Sequence, residues 1–283
     1  MKNVFLPRSV EELWTILDRE REGRLYCGGT DLLVQIRAGK SAPDSLICLE
    51  RIHEIEGIRD HETKGLWIGA ATTHARILDD PRVVSRFPVL TKALKTLGSP
   101  LIRAMGTIGG NVCTASPAGD TLPPLYLLDG EVELKSRNGT REMPLRNFIA
   151  GPGRTNLRPG EILAGLRLKD DGRYNIHHFE KIGKRQAMAC AIASLAALLR
   201  VSPSGVIEAA RLAWGSVGPT VITSKDIEEA LVGENLSREV LEKAAALARK
   251  VVDPISDVRA SAAYRRDVSG NLLLRLLEYR PRG

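Results

Sequence analysis

Val10, Leu13, Trp14 and Leu17 recur at helical spacing near the start of the chain, which predicts an amphipathic helix with one buried face. Ser9-Val10-Glu11-Glu12 opens it as a capping box, in which the serine and Glu12 side chains satisfy each other's backbone amides. Arg24-Leu25-Tyr26-Cys27 then reads as a short strand that Gly28-Gly29 ends in a turn. After the turn Thr30 or Asp31 is placed to cap a short helix over residues 32–37, and residues 45–49 return as a strand. The first ~50 residues therefore read as a small αβαβ layer.

A second layer starts with the strand-like run 66–70 and continues into Thr72 and Thr73, whose hydroxyls suit the start of a helix over 74–78. Asp80-Pro81 marks another helix start, and residues 88–97 form an amphipathic helix stopped by Gly98. Residues 131–135 and 141–145 alternate as a hairpin, with Asn138-Gly139 supplying the positive dihedrals of a primed turn. Beyond Gly151-Pro152-Gly153 come strand-like runs at 162–168, 174–181 and 206–214, then helical stretches from Ser224 and Ser237. Residues 187–200 are apolar nearly throughout, so periodicity does not separate a buried strand from a buried helix there. Residues 261–279 close the chain as a long helix, and a domain boundary is expected near Asp170 to Gly172.

At 283 residues the chain is long enough to bury its own core. It has no apolar run near the ~20 residues of a membrane span and no secretory signal at its start, so a soluble cytoplasmic protein is expected. The four cysteines, Cys27, Cys48, Cys113 and Cys190, form no CxxC pair, which excludes a locally written zinc or iron–sulfur loop. The adjacent His177 and His178 point to opposite faces if they lie on a strand, and no metal site is assigned. The net charge of +7 is dispersed and aromatics are only 4%, which argues against nucleic acid and for acidic partners or an anionic cofactor.

Two segments concentrate candidate chemistry: Gly28-Gly29-Thr30-Asp31, and Gly106-Thr107-Ile108-Gly109-Gly110-Asn111 with its extension Ala115-Ser116-Pro117-Ala118-Gly119-Asp120. Neither is a GxGxxG fingerprint or a Walker loop. Paired glycines let backbone N–H groups converge on an anion, with Thr30, Thr107 and Asn111 as further donors. A dinucleotide pyrophosphate is the natural guest. Either segment alone also reads as an ordinary turn; with Gly69-Ala70-Ala71-Thr72-Thr73 they supply three polar loops to one cleft. Asp31 suits a helix cap, and Asp120 suits either a cap for residues 121–128 or an acceptor for sugar hydroxyls.

In combination and in order these residues resemble the FAD-binding medium subunits of molybdenum hydroxylases, such as bacterial xanthine dehydrogenase and aerobic carbon monoxide dehydrogenase. Cys27-Gly28-Gly29-Thr30-Asp31-Leu32-Leu33, Ile102-Arg103 through Thr107-Ile108-Gly109-Gly110-Asn111-Val112-Cys113, Ala115-Ser116-Pro117 with Asp120, and Ala260-Ser261-Ala262-Ala263-Tyr264-Arg265-Arg266 carry the resemblance. It implies an α+β fold: a non-Rossmann, PCMH-type FAD-binding domain over residues 1–171, built of two α/β subdomains (about 1–55 and 56–171), and a C-terminal α+β domain over 172–283. It implies that Leu25, Tyr26, Cys27, Gly28, Gly29, Thr30, Asp31 and Leu32, together with Thr107 to Asn111, wrap the pyrophosphate and ribityl chain, mostly through backbone amides. Ala70, Thr72, Thr73, Gly106, Ala115 and Ser116 complete the expected cofactor site. Asp120 matches an acidic position near the cofactor, Leu163 a residue near the flavin ring, and Lys181 a lysine at the flavin.

The function so implied is an FAD-dependent oxidoreductase subunit that takes electrons from iron–sulfur clusters on a small partner chain. It passes them to NAD, a quinone or another acceptor, while a molybdopterin-bearing large chain hydroxylates substrate. The cysteine-bearing insertion that some members use for an extra cluster is absent here. Two other readings are a free-standing FAD oxidoreductase of the same fold and an assembly subunit without flavin. The first needs a general acid or base, and no His, Ser or Tyr is marked for that role; intact glycines and hydroxyls in both loops argue against the second.

Overall fold

The first predicted helix forms over Val10–Arg19 and buries Val10, Leu13 and Trp14, starting where Ser9 Oγ accepts the Glu12 amide at 3.1 Å. The reciprocal half of the capping box is different: the Glu12 carboxylate accepts from the Arg8 amide, at 2.8 Å. In this computed structural model, which describes residues 3–61, 65–169 and 172–280, the helix packs on a three-stranded parallel sheet. Its order is Asn3–Phe5, Ser45–Cys48, Arg24–Tyr26. The strand Asn3–Phe5 was not expected, since three residues are too few for alternation to show.

The second sheet is antiparallel and runs in the order Ile58–His61, Gly65–Gly69, Ile162–Leu168, Glu131–Ser136, Gly139–Pro144. Its middle strand thus arrives from far along the chain. Ile52, Ile55, Ala71, Ile162 and Ala164 join Val10, Leu13, Trp14 and Ile47 in one buried cluster, the apolar payload that holds the two sheets together. The hairpin forms as expected but its turn does not. Ser136 pairs with Gly139, so Arg137 and Asn138 make the turn, and of Asn138 and Gly139 only the glycine has positive φ. A primed Asn-Gly turn is thereby ruled out, because both primed types need a positive φ at the first central residue, which Asn138 lacks.

The chain divides into two compact units that interleave along the sequence: Met1–Asp80, Gly98–Ala115 and Gly130–Lys169 in one, Pro81–Leu97, Ser116–Asp129 and Asp170–Gly283 in the other. Of the expected boundary near Asp170 to Gly172, Asp170 and Asp171 lie outside the described residues. The second unit holds an antiparallel sheet in the order Ile176–Ile182, Ala193–Val201, Ile207–Gly215, Ile222–Thr223. Helices Arg238–Val251 and Ala262–Leu274 share its core through Leu241, Ala245, Leu272 and Leu273. The ambiguous apolar run resolves into the strand Ala193–Val201, almost wholly buried. Helices Leu122–Leu127 and Ala262–Leu274 both pack on it, and a strand covered in this way loses its polar alternation. The closing helix stops at Leu274 and continues as a 3₁₀ turn, Arg275–Tyr279. Among the described residues no helix is long and apolar enough to cross a membrane.

Candidate functional site

Within the first unit the three polar loops meet. The loop after strand Gly65–Gly69 is zipped to the second glycine segment by backbone bonds: His74 N to Gly106 O at 2.9 Å, Ile108 N to Thr72 O at 3.1 Å, and Gly109 N to Ala70 O at 2.9 Å. The first glycine segment is locked to the same place. A Cβ on Gly106 would lie 3.2 Å from both the Thr30 hydroxyl oxygen and His74 Cδ2, so a side chain at this position would crowd both neighbouring segments. The Cys27 thiol also hydrogen-bonds with the Thr107 side chain, and burial pushes its pKa up to about 12. A protonated, inert thiol follows.

Gly28 shows why this junction needs glycine. Its missing Cβ would fall 1.7 Å from the Met105 carbonyl oxygen, a distance no side chain tolerates. Gly29 adopts φ of +69°, the left-handed region that glycine enters without penalty. Together they leave a bend in which, among the described residues, the backbone N–H groups of Gly28, Gly29, Thr30 and Asp31 donate to no protein acceptor. Amides in such a run are obligatory donors awaiting an acceptor, and an anion or water is the partner that fits.

The second glycine segment behaves differently from expectation. It is not a free loop but the start of a helix, Ile108–Thr114, capped by the Thr107 hydroxyl, which accepts the Gly110 amide at 3.2 Å. Gly109 is small because Ala70 presses on it, with Cβ to Cβ at 2.5 Å were it alanine. The amides of Ile108, Gly109 and Asn111 are engaged within the chain as well, so of residues 107–111 only Thr107 keeps an amide without an acceptor among the described residues. Helix formation and loop zipping thus engage the amides of Ile108, Gly109, Gly110 and Asn111 within the chain.

Leu25 and Tyr26 lie on the strand beside Ile47 and Cys48, and burial, with a bond to the Cys48 side chain, raises the Tyr26 pKa to about 12. Asp31 sits at the N-cap of helix Leu32–Arg37 but caps nothing with its side chain; it accepts from Gln35 Nε2 at 2.9 Å and from the Thr114 hydroxyl at 3.0 Å. Leu32 is the one buried residue of that helix. Thr72 spends its hydroxyl internally on both the N–H and the C=O of Gly57, whereas Thr73 caps helix His74–Asp79 as expected. Asn111 is half-buried on the Ile108–Thr114 helix. Leu163 is buried on the strand Ile162–Leu168 beside Leu134. Ala115 ends the Ile108–Thr114 helix in the left-handed region, φ 46°, where a non-glycine residue is strained by ~1–2 kcal/mol.

Ser116, Asp120 and Lys181 belong to the second unit. Ser116 accepts the Ala118 amide at 3.3 Å. Lys181 Nζ contacts Asp120 Oδ2 at 2.6 Å and donates to the Thr96 carbonyl at 2.8 Å, with both charged side chains 9% exposed. Asp120 does not cap helix Leu122–Leu127, whose N-cap is Thr121. Its other oxygen, Oδ1, is buried without a hydrogen-bond partner. Burial raises the Asp120 pKa and Lys181 opposes that shift, so the pair is held by charge complementarity. An orphaned carboxylate oxygen invites a hydroxyl or N–H donor.

His74 was not singled out from sequence. It is 3% exposed, its Nδ1 is buried without a partner, and burial lowers its pKa to about 4, with Arg103 adding to the effect. A single histidine after two threonines gave no periodic signal of burial.

Comparison with known proteins places this geometry in a family. Residues 1–168 match the model of the FAD binding domain in molybdopterin dehydrogenase, and residues 178–279 that of the CO dehydrogenase flavoprotein C-terminal domain. The nicotinate dehydrogenase FAD-subunit of Eubacterium barkeri is 32% identical over 268 residues, covering 93% of this chain and 90% of that one. Among solved structures, quinoline 2-oxidoreductase from Pseudomonas putida 86 superposes with a TM-score of 0.93 at 25% identity, covering 99% of this chain and 97% of that one. Reconstituted CO dehydrogenase from Oligotropha carboxidovorans gives 0.91 at 28% identity, covering 99% and 98%.

Proposed function

This chain belongs to the family of FAD-binding subunits of molybdenum hydroxylases, and from that premise we propose that it relays electrons between the iron–sulfur clusters of a small partner chain and an external acceptor. The acceptor is NAD, a quinone or another carrier. Substrate hydroxylation then belongs to a molybdopterin-bearing large chain, and the complex works in the cytoplasm. When bound, FAD supplies the exchange between one-electron and two-electron steps that such a relay requires.

The observation that carries the reading is the bend at Gly28–Asp31, with its consecutive unengaged amides held by a side-chain-free contact on Met105. Those amides, with the Thr107 N–H and the Thr30 hydroxyl, suit the diphosphate. Leu25, Tyr26, Cys27 and Leu32 support the bend from behind. Ala70, Thr72, Thr73, Gly106, Ile108, Gly109, Gly110 and Asn111 hold its far wall, which Ala115 ends; Ser116 is a further proposed cofactor contact. Asp120 accepts from a cofactor hydroxyl or N–H through Oδ1, Leu163 supplies apolar packing, and Lys181 supplies a positive charge that favours the reduced, anionic ring. Because Asp120 offsets that charge, the pair sets how strongly it is felt.

The purified chain is expected to be yellow, to release FAD on denaturation, and to turn over no organic substrate until two further chains are supplied. A well-folded chain that takes up no FAD refutes the proposal. A yellow chain that turns over substrate alone replaces the relay by a free-standing oxidoreductase.

A further inference from the structure

Arg265, in the first turn of helix Ala262–Leu274, is a cation that the proposed relay leaves unused, and only 2% of it is exposed. Its Nη1 donates to two carbonyls, Ile192 O at 2.6 Å and Ser216 O at 3.1 Å, and its Nη2 donates to Asp257 Oδ1 at 2.7 Å. The Arg259 amide, with Arg265 and the Ala260 amide, holds the Asp257 carboxyl pKa down at about 2, so the guanidinium keeps an ionised partner. A buried ion pair adds little net stability, because desolvation offsets the attraction. What it fixes is geometry, since a guanidinium offers its donors in one rigid plane.

Both carbonyls lead to the Asp120–Lys181 pair. The Ser216 amide donates to Pro117 O at 2.8 Å, on the segment that runs on to Asp120. The Ile192 amide donates to Ile182 O at 2.7 Å, next to Lys181, and Lys181 pairs across the sheet with Ser194 on the strand that follows Ile192. Ser216 also adopts φ of +65°, a conformation that a non-glycine residue keeps only where its surroundings over-determine it. Here both its N–H and its C=O are bonded. One guanidinium thus grips, at one remove, the segment that carries the acid and the strand that carries the base. All of these residues belong to the second unit.

We infer that Arg265 is a positioning residue that holds Asp120 and Lys181 in contact, and through that contact sets how much of the lysine's charge the reduced flavin feels. This rests on the reading above that puts the pair beside the ring. When the brace loosens, the pair parts. The buried Asp120 carboxylate, whose ionisation Lys181 favours against burial, then takes up a proton from solvent. The charge of Lys181 acts unopposed on the anionic ring, and the flavin becomes easier to reduce.

The test is a redox titration of the flavin in the full chain against a dye of known potential, for the wild type, Arg265→Lys, Asp120→Asn and the double variant. Lysine keeps the charge but replaces the planar fork by a single ammonium. Arg265→Lys and Asp120→Asn should each raise the ratio of affinities for reduced over oxidised FAD by about tenfold, read as a rise of ~30 mV in the two-electron midpoint. The double variant should rise no further than Asp120→Asn alone, because Arg265 acts through that carboxylate; additive shifts overturn the inference. So does an Arg265→Lys chain that melts earlier without flavin but keeps the wild-type midpoint with it, since Arg265 is then a brace of the fold alone. Should Arg265→Lys fail to fold, Asp257→Asn loosens the same guanidinium from the rim. Its midpoint should rise in the wild-type background and not in Asp120→Asn, and no rise in the former overturns the inference. A flavin-containing chain whose midpoint ignores Asp120→Asn removes the pair from the ring, and this inference with it, while FAD binding stands. A chain that takes up no FAD sinks the relay reading as well.

Discussion

Replacing Gly28 by alanine adds one methyl group where the chain has no room for it. The new Cβ would lie 1.7 Å from the Met105 carbonyl oxygen, and the bend must retreat by about 1.3 Å to reach 3.0 Å, the closest approach real Cβ atoms show. The obstacle is backbone, so no rotamer change relieves it, and overpacking of this kind destabilises by about 1–3 kcal/mol. The same retreat lengthens hydrogen bonds from the Gly28–Asp31 amides beyond useful range. Each bond to a charged group contributes about 1.5–3 kcal/mol, so losing two weakens FAD binding by roughly 10²- to 10⁴-fold. Quenching of flavin fluorescence on titration gives the affinity, and circular dichroism gives the melting temperature. Gly110→Ala separates loss of fold from loss of approach. Its Cβ would meet only the Thr107 hydroxyl, at 3.1 Å, so the melting temperature should hold while the methyl intrudes on the proposed cofactor wall and binding falls. Wild-type affinity in Gly28→Ala would refute the cradle.

His74 makes stability depend on pH. The unfolded chain protonates this residue near pH 6.5, the folded chain only near pH 4, so its contribution is complete above 6.5 and is lost as pH falls toward 4. Between pH 6.5 and 5 the loss is at most about 2 kcal/mol. Urea denaturation at pH 7 and pH 5 should show it in the wild type and not in His74→Gln; equal losses in both would dismiss the assignment. Lys181→Met leaves the Asp120 carboxylate buried and uncompensated, a change expected to destabilise by about 3–5 kcal/mol. The double variant Asp120→Asn/Lys181→Met should recover much of that, and a double variant no more stable than the single one would show that the pair is not coupled.

Much of the framework was legible in the residues because it is local. The helix from Val10, the short helix Leu32–Arg37 and the serine cap at Ser237 each follow from spacing or capping chemistry within a few positions. The glycine pairs at 28–29 and 109–110, ordered with Asp120 and the C-terminal Ala-Ser-Ala-Ala-Tyr motif, pointed to the flavoprotein family. Helix Pro100–Met105 was missed because an exposed apolar helix has no polar face to give it a period. The strand character of Ala193–Val201 was hidden for the converse reason, burial almost throughout.

Local physics, then, determined where the chain bends and where a backbone without side chains is offered. Only the tertiary structure decided what each bend is for. At Gly109 the empty space is filled by Ala70, and its amide goes to the chain itself; at Gly28 the empty space lets Met105 close in behind a row of amides that stay open. Glycine reads identically in both places because the missing atom is a local fact. The neighbour that takes its place comes from another part of the chain, and no local pattern encodes it.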